Sequence, residues 1–273
     1  MCTLVNEICL FLSENGFECL EQVCSGHPVI AIGMQNRCIV PYLISSSSPD
    51  EAKVAAAEVE QLVSDLSKRG IDPIVVTEDR WRRQNEMMKA RLLAHLECFT
   101  PVFARNCQVR KIEKEESAAF LAANHSYGDA SCRYRYGLFL KKSPETLVAV
   151  ATFSNARKWQ KGDKVIKSYE WTRYASLPGF RISGGMGKML KAFIRDQRPD
   201  DIMSYADLEW SEGRVYEQLG FVLEGKKDPV LFAVDEQWRR TPIAKQEDMQ
   251  YKSSLFLLNF GSNKYRLKLT EYE

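Results

Sequence analysis

The chain is poor in metal ligands, in long apolar runs and in net charge. It holds three histidines, and its eight cysteines, at positions 2, 9, 19, 24, 38, 98, 107 and 132, include no CxxC pair. A zinc centre needs sulfur and imidazole ligands at short, clustered spacing, so none is expected, and reduced thiols of a cytosolic protein are the simple reading. No segment approaches the ~20 apolar residues of a membrane span, and the first residues lack a basic stretch followed by a long apolar one. A cytoplasmic location without a membrane partner is therefore expected. Lys and Arg total 38 against 36 Asp and Glu, a net charge of +2, so any polyanion partner must be held by a local patch. No internal repeat or low-complexity segment occurs.

What is present is the composition of a soluble globular protein, 45% apolar and 27% charged, in 273 residues that can form one large domain or two modest ones. The first hundred residues (1–100) read as a small α/β module. Leu4, Ile8, Phe11 and Leu12 mark a helix, two strand-like runs flank Gln35-Asn36 between Pro28 and Ser45, and a helix carries Val59, Leu62, Val63 and Leu66 up to Gly70. Ile71–Thr77 reads as a strand, and Trp81, Asn85, Met88, Leu92 and Leu96 line one face of the next helix. Arg80, Arg82, Arg83, Lys89 and Arg91 around Trp81 could touch phosphate backbones, a contact that needs no base reading. A solvated helix face with one aromatic anchored in the core is the favoured alternative.

The second half carries the most informative stretch. Val165–Ala175 is strand-like and leads to Arg181-Ile-Ser-Gly-Gly-Met-Gly-Lys-Met-Leu190, a glycine-rich turn entering a helix. Met186, Met189, Leu190, Phe193 and Ile194 recur at helical spacing, and Pro199 ends the pattern. Glycines at 184, 185 and 187 let the main chain approach a ligand closely, and the unpaired amides of a helix start suit a phosphate. A tight strand-to-helix connection would look the same. Ile202–Trp210 then reads as a strand, Ser211–Leu219 as a short helix ended by Gly220, and Phe221–Glu224 as a further strand.

In this order of elements the chain resembles the GNAT acyltransferase superfamily, whose coenzyme A pyrophosphate loop reads Gln/Arg-x-x-Gly-x-Gly/Ala after the fourth strand. Gly185-Met-Gly187 followed by Leu190 fits that register, but its first position is Ile182, while the register from Arg181 places Met186 where Gly or Ala belongs. Val215-Tyr-Glu-Gln-Leu-Gly-Phe221 matches the family's Tyr-x-x-Leu-Gly-Phe helix end. The resemblance implies a GNAT-type α/β domain with a central mixed sheet over about 105–245, followed by a C-terminal extension, 246–273, with a closing strand in Ser254–Gly261. It also implies acetyl-CoA, or another acyl-CoA, as cofactor, held in a cleft between splayed strands.

A narrower likeness covers Arg110 to the C-terminus. Asn124-His-Ser-Tyr-Gly128, Tyr136–Phe139, Leu147–Phe153, Tyr169–Tyr174, Ser204-Tyr-Ala-Asp207 and Tyr216 resemble a phage-associated group that includes Mom-type DNA-modification proteins. That likeness implies DNA or RNA as a partner and a nucleobase as acceptor. The N-terminal module resembles the nuclease-like modules, of restriction-endonuclease-like fold, that precede such domains. It lacks their chemistry: the carboxylates of a metal-dependent nuclease converge from neighbouring strands, whereas the Asp and Glu-x-Lys here are fused in Pro49-Asp-Glu-Ala-Lys53.

Acyl transfer needs a base for the nucleophile, a donor at the thioester carbonyl and an acid for the departing thiolate. Glu170, on the strand before the glycine turn, is a candidate base or else the ion-pair partner of Arg173, a pairing that strict alternation forbids without a bulge. Tyr216 is the candidate acid or else packs with Val215 and Leu219. Asp207, at a strand end, could bind or deprotonate the acceptor or else cap the following helix. His125 could serve as acid, base or ligand or be structural. Arg181, Gly184, Gly185, Met186, Gly187 and Lys188 are the candidate cofactor contacts, with Arg181 and Lys188 supplying positive charge. Cys107 and Cys132 lack a neighbouring His or Asp motif and are not expected to be nucleophiles. Besides an N-acyltransferase, the sequence admits a non-enzymatic nucleic-acid-binding protein of the same fold and a Mom-like base modifier.

Overall fold

The computed structural model describes residues 3–33, 35–211, 213–243 and 255–270. The chain forms two compact units, Met1–Leu92 with Asp228–Gly261, and Leu93–Lys227 with Ser262–Glu273.

The first unit opens with α1 (Thr3–Glu14), which buries Leu4, Val5, Ile8 and Leu12. An antiparallel meander of β1 (Cys19–Cys24), β2 (His27–Ile32) and β3 (Arg37–Tyr42) follows. Helix α2 (Pro49–Lys68) begins at Ser48, whose hydroxyl accepts from the Glu51 amide while the Glu51 carboxylate accepts from the Ser47 amide, in the manner of a capping box. The acids of Pro49–Lys53 thus serve a helix start, and Lys53 pairs with Asp50 in solvent. Strand β4 (Asp72–Thr77) returns parallel to β3, completing the order β1-β2-β3-β4, and α3 (Glu78–Arg83) and α4 (Asn85–His95) follow.

The second unit runs through β5 (Thr100–Phe103), β6 (Cys107–Lys111), α5 (Lys114–Asn124), β7 (Tyr134–Leu140), β8 (Leu147–Phe153) and the hairpin of β9 (Arg157–Lys161) with β10 (Lys164–Ser176). It continues through β11 (Phe180–Ser183), α6 (Gly185–Gln197), β12 (Asp201–Asp207), α7 (Arg214–Gln218) and β13 (Val222–Lys227). The chain then returns to the first unit for β14 (Leu231–Val234), β15 (Arg240–Pro242) and β16 (Leu255–Leu258), which form a sheet in the order β15-β14-β16. Finally β17 (Ser262–Lys268) enters the second unit between β13 and β12.

The large sheet runs β13-β17-β12-β10-β8-β7-β6, with β9 paired to β10. It is mixed: β10 and β12 are parallel and its other pairings antiparallel. Phe153 and Phe193 stack at 3.9 Å between centroids where α6 packs on the sheet, with Tyr136 and Tyr169 set edge-on to Phe193.

This topology corrects two sequence expectations. Residues 228–243 and 255–261 belong to the first unit, not to a single 105–245 domain with a tail, and the strand that completes the large sheet is β17 rather than the Ser254–Gly261 run. Ser254 itself, like 246–253, lies outside the described residues. The apolar β16 reads as the stronger strand in sequence because its Phe256 and Leu257 are buried, whereas β17 buries Tyr265 alone and is otherwise polar except for the half-buried Leu267.

Candidate functional site

The site is set by the way β10 and β12 part. They pair in parallel over four residues, Ser168–Trp171 against Asp201–Ser204, and no pairing continues beyond Trp171 and Ser204 although both strands do. Across β10 the register with β8 slips between Trp171 and Arg173, the bulge that alternation demanded if Glu170 and Arg173 were to interact. Trp171 donates its indole N–H to the Arg173 carbonyl within this bulge.

At Ser204, the last residue of β12 that pairs with β10, the hydroxyl lies 3.0 Å from the Trp171 carbonyl and 2.9 Å from the Tyr216 hydroxyl. Tyr216 stands on α7 in an aromatic surround. Its ring stacks on Tyr265 at 5.3 Å and meets Phe221 and Trp171 edge-on. Burial pushes the phenol above its ordinary value, partly offset by the bond from Ser204, so Tyr216 is protonated at neutral pH.

The carboxylate of Glu170 makes no hydrogen bond among the described residues, while its backbone N–H donates to Ser154 Oγ. Its electrostatic partner is Arg173, whose guanidinium is held below the ordinary value by burial, an effect that Glu170 opposes. Arg173 donates to the carbonyls of Gly128 and Thr172 and lies over the Tyr127 ring at 5.9 Å. The charge interaction with Arg173 that the sequence offered for Glu170 is present, and the half-buried carboxylate makes no other polar contact among the described residues.

Asp207 and His125 meet through Tyr127. The Tyr127 hydroxyl donates to Asp207 Oδ2 at 2.9 Å, and its backbone N–H donates to His125 Nδ1 at 3.1 Å. Asp207 also closes its own turn by accepting from the Glu209 amide, while the N-cap of α7 is Gly213, so the helix-cap reading of Asp207 does not apply. The segment bearing His125 and Tyr127 is anchored by a bidentate pair between the buried Arg135 and Asp129, with Ser117 accepting a further bond from Arg135. Sequence reasoning missed Ser204, Tyr127 and Arg135 as organisers of the site. Ser204 and Tyr127 stand inside the Ser-Tyr-Ala-Asp and Asn-His-Ser-Tyr-Gly motifs, which was the available signal, but their partners lie 12 and 80 positions away.

The glycine turn is an open helix start. Gly184 sits at φ 76° as the N-cap of the 13-residue α6, no side chain caps it, and the first turn carries no acidic residue. A Cβ on Gly185 would come within 2.8 Å of Ile182 Cγ2, which packing there does not allow without a shift, while one on Gly187 would meet Leu219 Cδ2 at 3.1 Å, a tight contact with the end of a flexible side chain. The first-turn amides have no carbonyl partner inside the helix. The residues thus fit an anion held by main-chain N–H groups. Lys188 does not contribute: its ammonium donates to the Ala104 and Cys107 carbonyls at 2.8 and 2.6 Å. Met186 packs its side chain against the core and offers only its amide. Arg181 is exposed on β11, its guanidinium over the Phe99 ring at 5.1 Å.

In the first unit, Arg80 is 5% exposed, and Arg82 is tied to Glu7, Glu78 and Thr3. Arg83 is the exposed member of the three, so they do not form a basic surface. The aromatic beside them, Trp81, is buried and donates to Glu7, the arrangement of an anchored helix. Burial pushes the Cys107 and Cys132 thiols above their ordinary range, which leaves neither a thiolate nucleophile. No helix among the described residues is long and apolar enough to cross a membrane.

No family model matches this sequence, and no curated protein does. Among solved structures, the chain is similar to NAA60 of Arabidopsis thaliana in complex with acetyl-CoA, at 8% identity over 60% of this chain and 99% of that one, with a TM-score of 0.39. It is similar to the ribosomal-protein-S5-alanine acetyltransferase of Vibrio fischeri, at 11% identity over 62% of this chain and 96% of that one, TM-score 0.38. It is also similar to the spermidine N-acetyltransferase of Vibrio cholerae, at 10% identity over 60% of this chain and 94% of that one, TM-score 0.38. The roles of individual residues rest on the geometry of this chain and not on these likenesses.

Proposed function

We propose that the second unit is a coenzyme-A-dependent N-acyltransferase of the GNAT type, acetyl being the group first to test. The observation that carries this reading is the uncapped, acid-free start of α6 in the same unit as a parallel strand pair that separates after four residues, with Glu170 and Tyr216 beside the separation. A bound acyl-coenzyme A would supply an acyl group activated as a thioester. The amides of Gly185, Met186 and Gly187 would hold its diphosphate, with Arg181 as the nearby cation.

The chain's own residues then divide the proton work. The carboxylate of Glu170 takes the proton of the acceptor amine as its nitrogen bonds to the acyl carbon. Tyr216, kept protonated by burial, gives its proton to the sulfur as the carbon–sulfur bond breaks, and the Ser204 hydroxyl holds the phenol oxygen in place. Asp207, fixed by Tyr127, orients the acceptor. His125 holds the Tyr127 backbone and so acts as a positioning residue. The acceptor we propose to test first is a nucleobase amine in DNA or RNA, as the likeness to the phage-associated group implies.

A second reading, a binding protein of this fold without coenzyme, is favoured by Ile182 at the loop's first position and by the engagement of Lys188 with main-chain carbonyls. Isothermal titration with acetyl-CoA separates the two. Saturable heat, abolished by Gly185→Glu, supports the transferase, and absence of heat supports the binding protein. Mass spectrometry of DNA, RNA and small amines after incubation with acetyl-CoA then identifies the acceptor and distinguishes an acetyl product from another base modification.

A further inference from the structure

The hairpin of β9 and β10 carries a charge arrangement that the catalytic reading does not use. Every residue of β9 is exposed, and β9 pairs with nothing but the first part of β10. Between positions 157 and 168 the hairpin holds Arg157, Lys158, Lys161, Lys164 and Lys167 against a single acid, Asp163 in the turn. The register sets Lys161 directly opposite Lys164 and Lys158 directly opposite Lys167. With side chains alternating along each strand, one lysine pair lies on each face of the ribbon.

Like charges directly opposite in an antiparallel pair are destabilising, so this arrangement costs folding free energy at two rungs out of five. Lysine on an edge strand blunts sheet-to-sheet aggregation, but that protection needs charge on β9 alone, not matched lysines on the strand it already pairs with. On the Lys161–Lys164 face, Trp159 stands opposite the buried Ile166 and is itself 41% exposed. An exposed indole beside cations is a stacking platform for an unpaired base, whose phosphates the lysines would neutralise.

We propose that the β9–β10 hairpin binds single-stranded nucleic acid on its Trp159 face, with Arg157, Lys161 and Lys164 on the backbone and Trp159 under a base. The duplex is disfavoured because its bases are already stacked and offer Trp159 no free face. The ribbon is continuous with the strand that carries Glu170, two residues past the last hairpin rung, or about 7 Å along an extended chain. This inference goes beyond the acyltransferase reading and does not depend on it, since the binding it describes needs no coenzyme.

The test is fluorescence anisotropy of the full chain, without coenzyme, against a labelled mixed-sequence oligonucleotide of about 20 nucleotides, its duplex, and phosphatidylserine vesicles. The expected result is saturable binding of the single strand, tighter than of the duplex. With the three cations of that face engaged, the logarithm of the affinity should fall with that of salt at a slope of about −2. The double variant Lys158→Glu with Lys161→Glu turns both repulsive rungs into attractive ones, so its Tm should hold or rise while binding weakens roughly tenfold or more. Trp159→Ala should weaken binding with little change in the salt slope. The proposal is overturned by no binding, by binding that the double variant retains, by preference for the duplex, or by binding to vesicles alone.

Discussion

Tyr216 and Ser204 share a hydrogen bond 2.9 Å long at the point where β12 stops pairing with β10. The same Ser204 hydroxyl lies 3.0 Å from the Trp171 carbonyl of the opposing strand, so one side chain links the proposed acid to both edges of the separation.

If Tyr216 is the acid, Tyr216→Phe should lower kcat by about 10²–10⁴-fold and leave the acetyl-CoA Kd from titration calorimetry nearly unchanged. Ser204→Ala should keep most of the rate. The Ser204 bond lowers the Tyr216 value that burial raises, so its loss moves the alkaline fall of kcat to higher pH. An unchanged kcat in Tyr216→Phe removes the tyrosine from the chemistry.

Glu170 and Asp207 are separable by kinetics. Glu170→Gln should lower kcat with little change in the acceptor KM, because the proposed role of its carboxylate is to act on the proton in flight. Tyr127→Phe frees Asp207 from its 2.9 Å bond and should raise the acceptor KM more than it lowers kcat. The opposite pattern, with kcat lost in Tyr127→Phe and KM raised in Glu170→Gln, exchanges the two carboxylates.

The glycine start of α6 and Lys188 make opposite predictions. Gly185→Glu places a carboxylate at the amides and a Cβ against Ile182, and should abolish coenzyme binding. Lys188→Met loses two bonds to carbonyls and should destabilise the protein by roughly 2 kcal/mol in chemical denaturation while changing the acetyl-CoA Kd less than about twofold. A large loss of affinity in Lys188→Met would return this lysine to the cofactor.

A pH-dependent contribution lies at the far edge of the large sheet. Arg266 of β17 bonds to Glu224 of β13 at 2.7 Å and to the fully buried Asp201 of β12 at 2.6 Å. The Glu224 carboxyl is pushed down to about 2, chiefly by its bond with Arg266. A lowered carboxyl stabilises the fold above its unfolded value, near 4.3, and that contribution is lost as pH falls toward 2. Glu224→Gln should therefore lower Tm at pH 7, and the difference from the parent should shrink steadily between about pH 4.3 and 2. A difference that persists undiminished in acid would show that Glu224 acts through packing.

Helices and the long strand of the second unit were legible from the chain. The spacing of Met189, Leu190 and Phe193 marks α6 because those side chains all face the sheet, and the apolar alternation before Gly184 marks β10. Two of the strands that escaped notice are exposed ones. β1 and β9 bury no residue fully, so they carry no period-two apolar signal and are held as strands by a hairpin partner.

What the sequence determined by itself is local: where glycine permits a left-handed helix cap, where apolar periodicity makes a buried face, and which side chains can carry a proton. Tertiary structure decided which of these meet. It spent Lys188 and Arg82 on neighbours, linked Tyr127 to Asp207 across 80 positions, and returned residues 228–243 and 255–261 to the first unit. The physical reason is that hydrogen bonds and ion pairs form between whatever groups the packed backbone brings within about 3 Å, and separation along the chain carries no information about that distance.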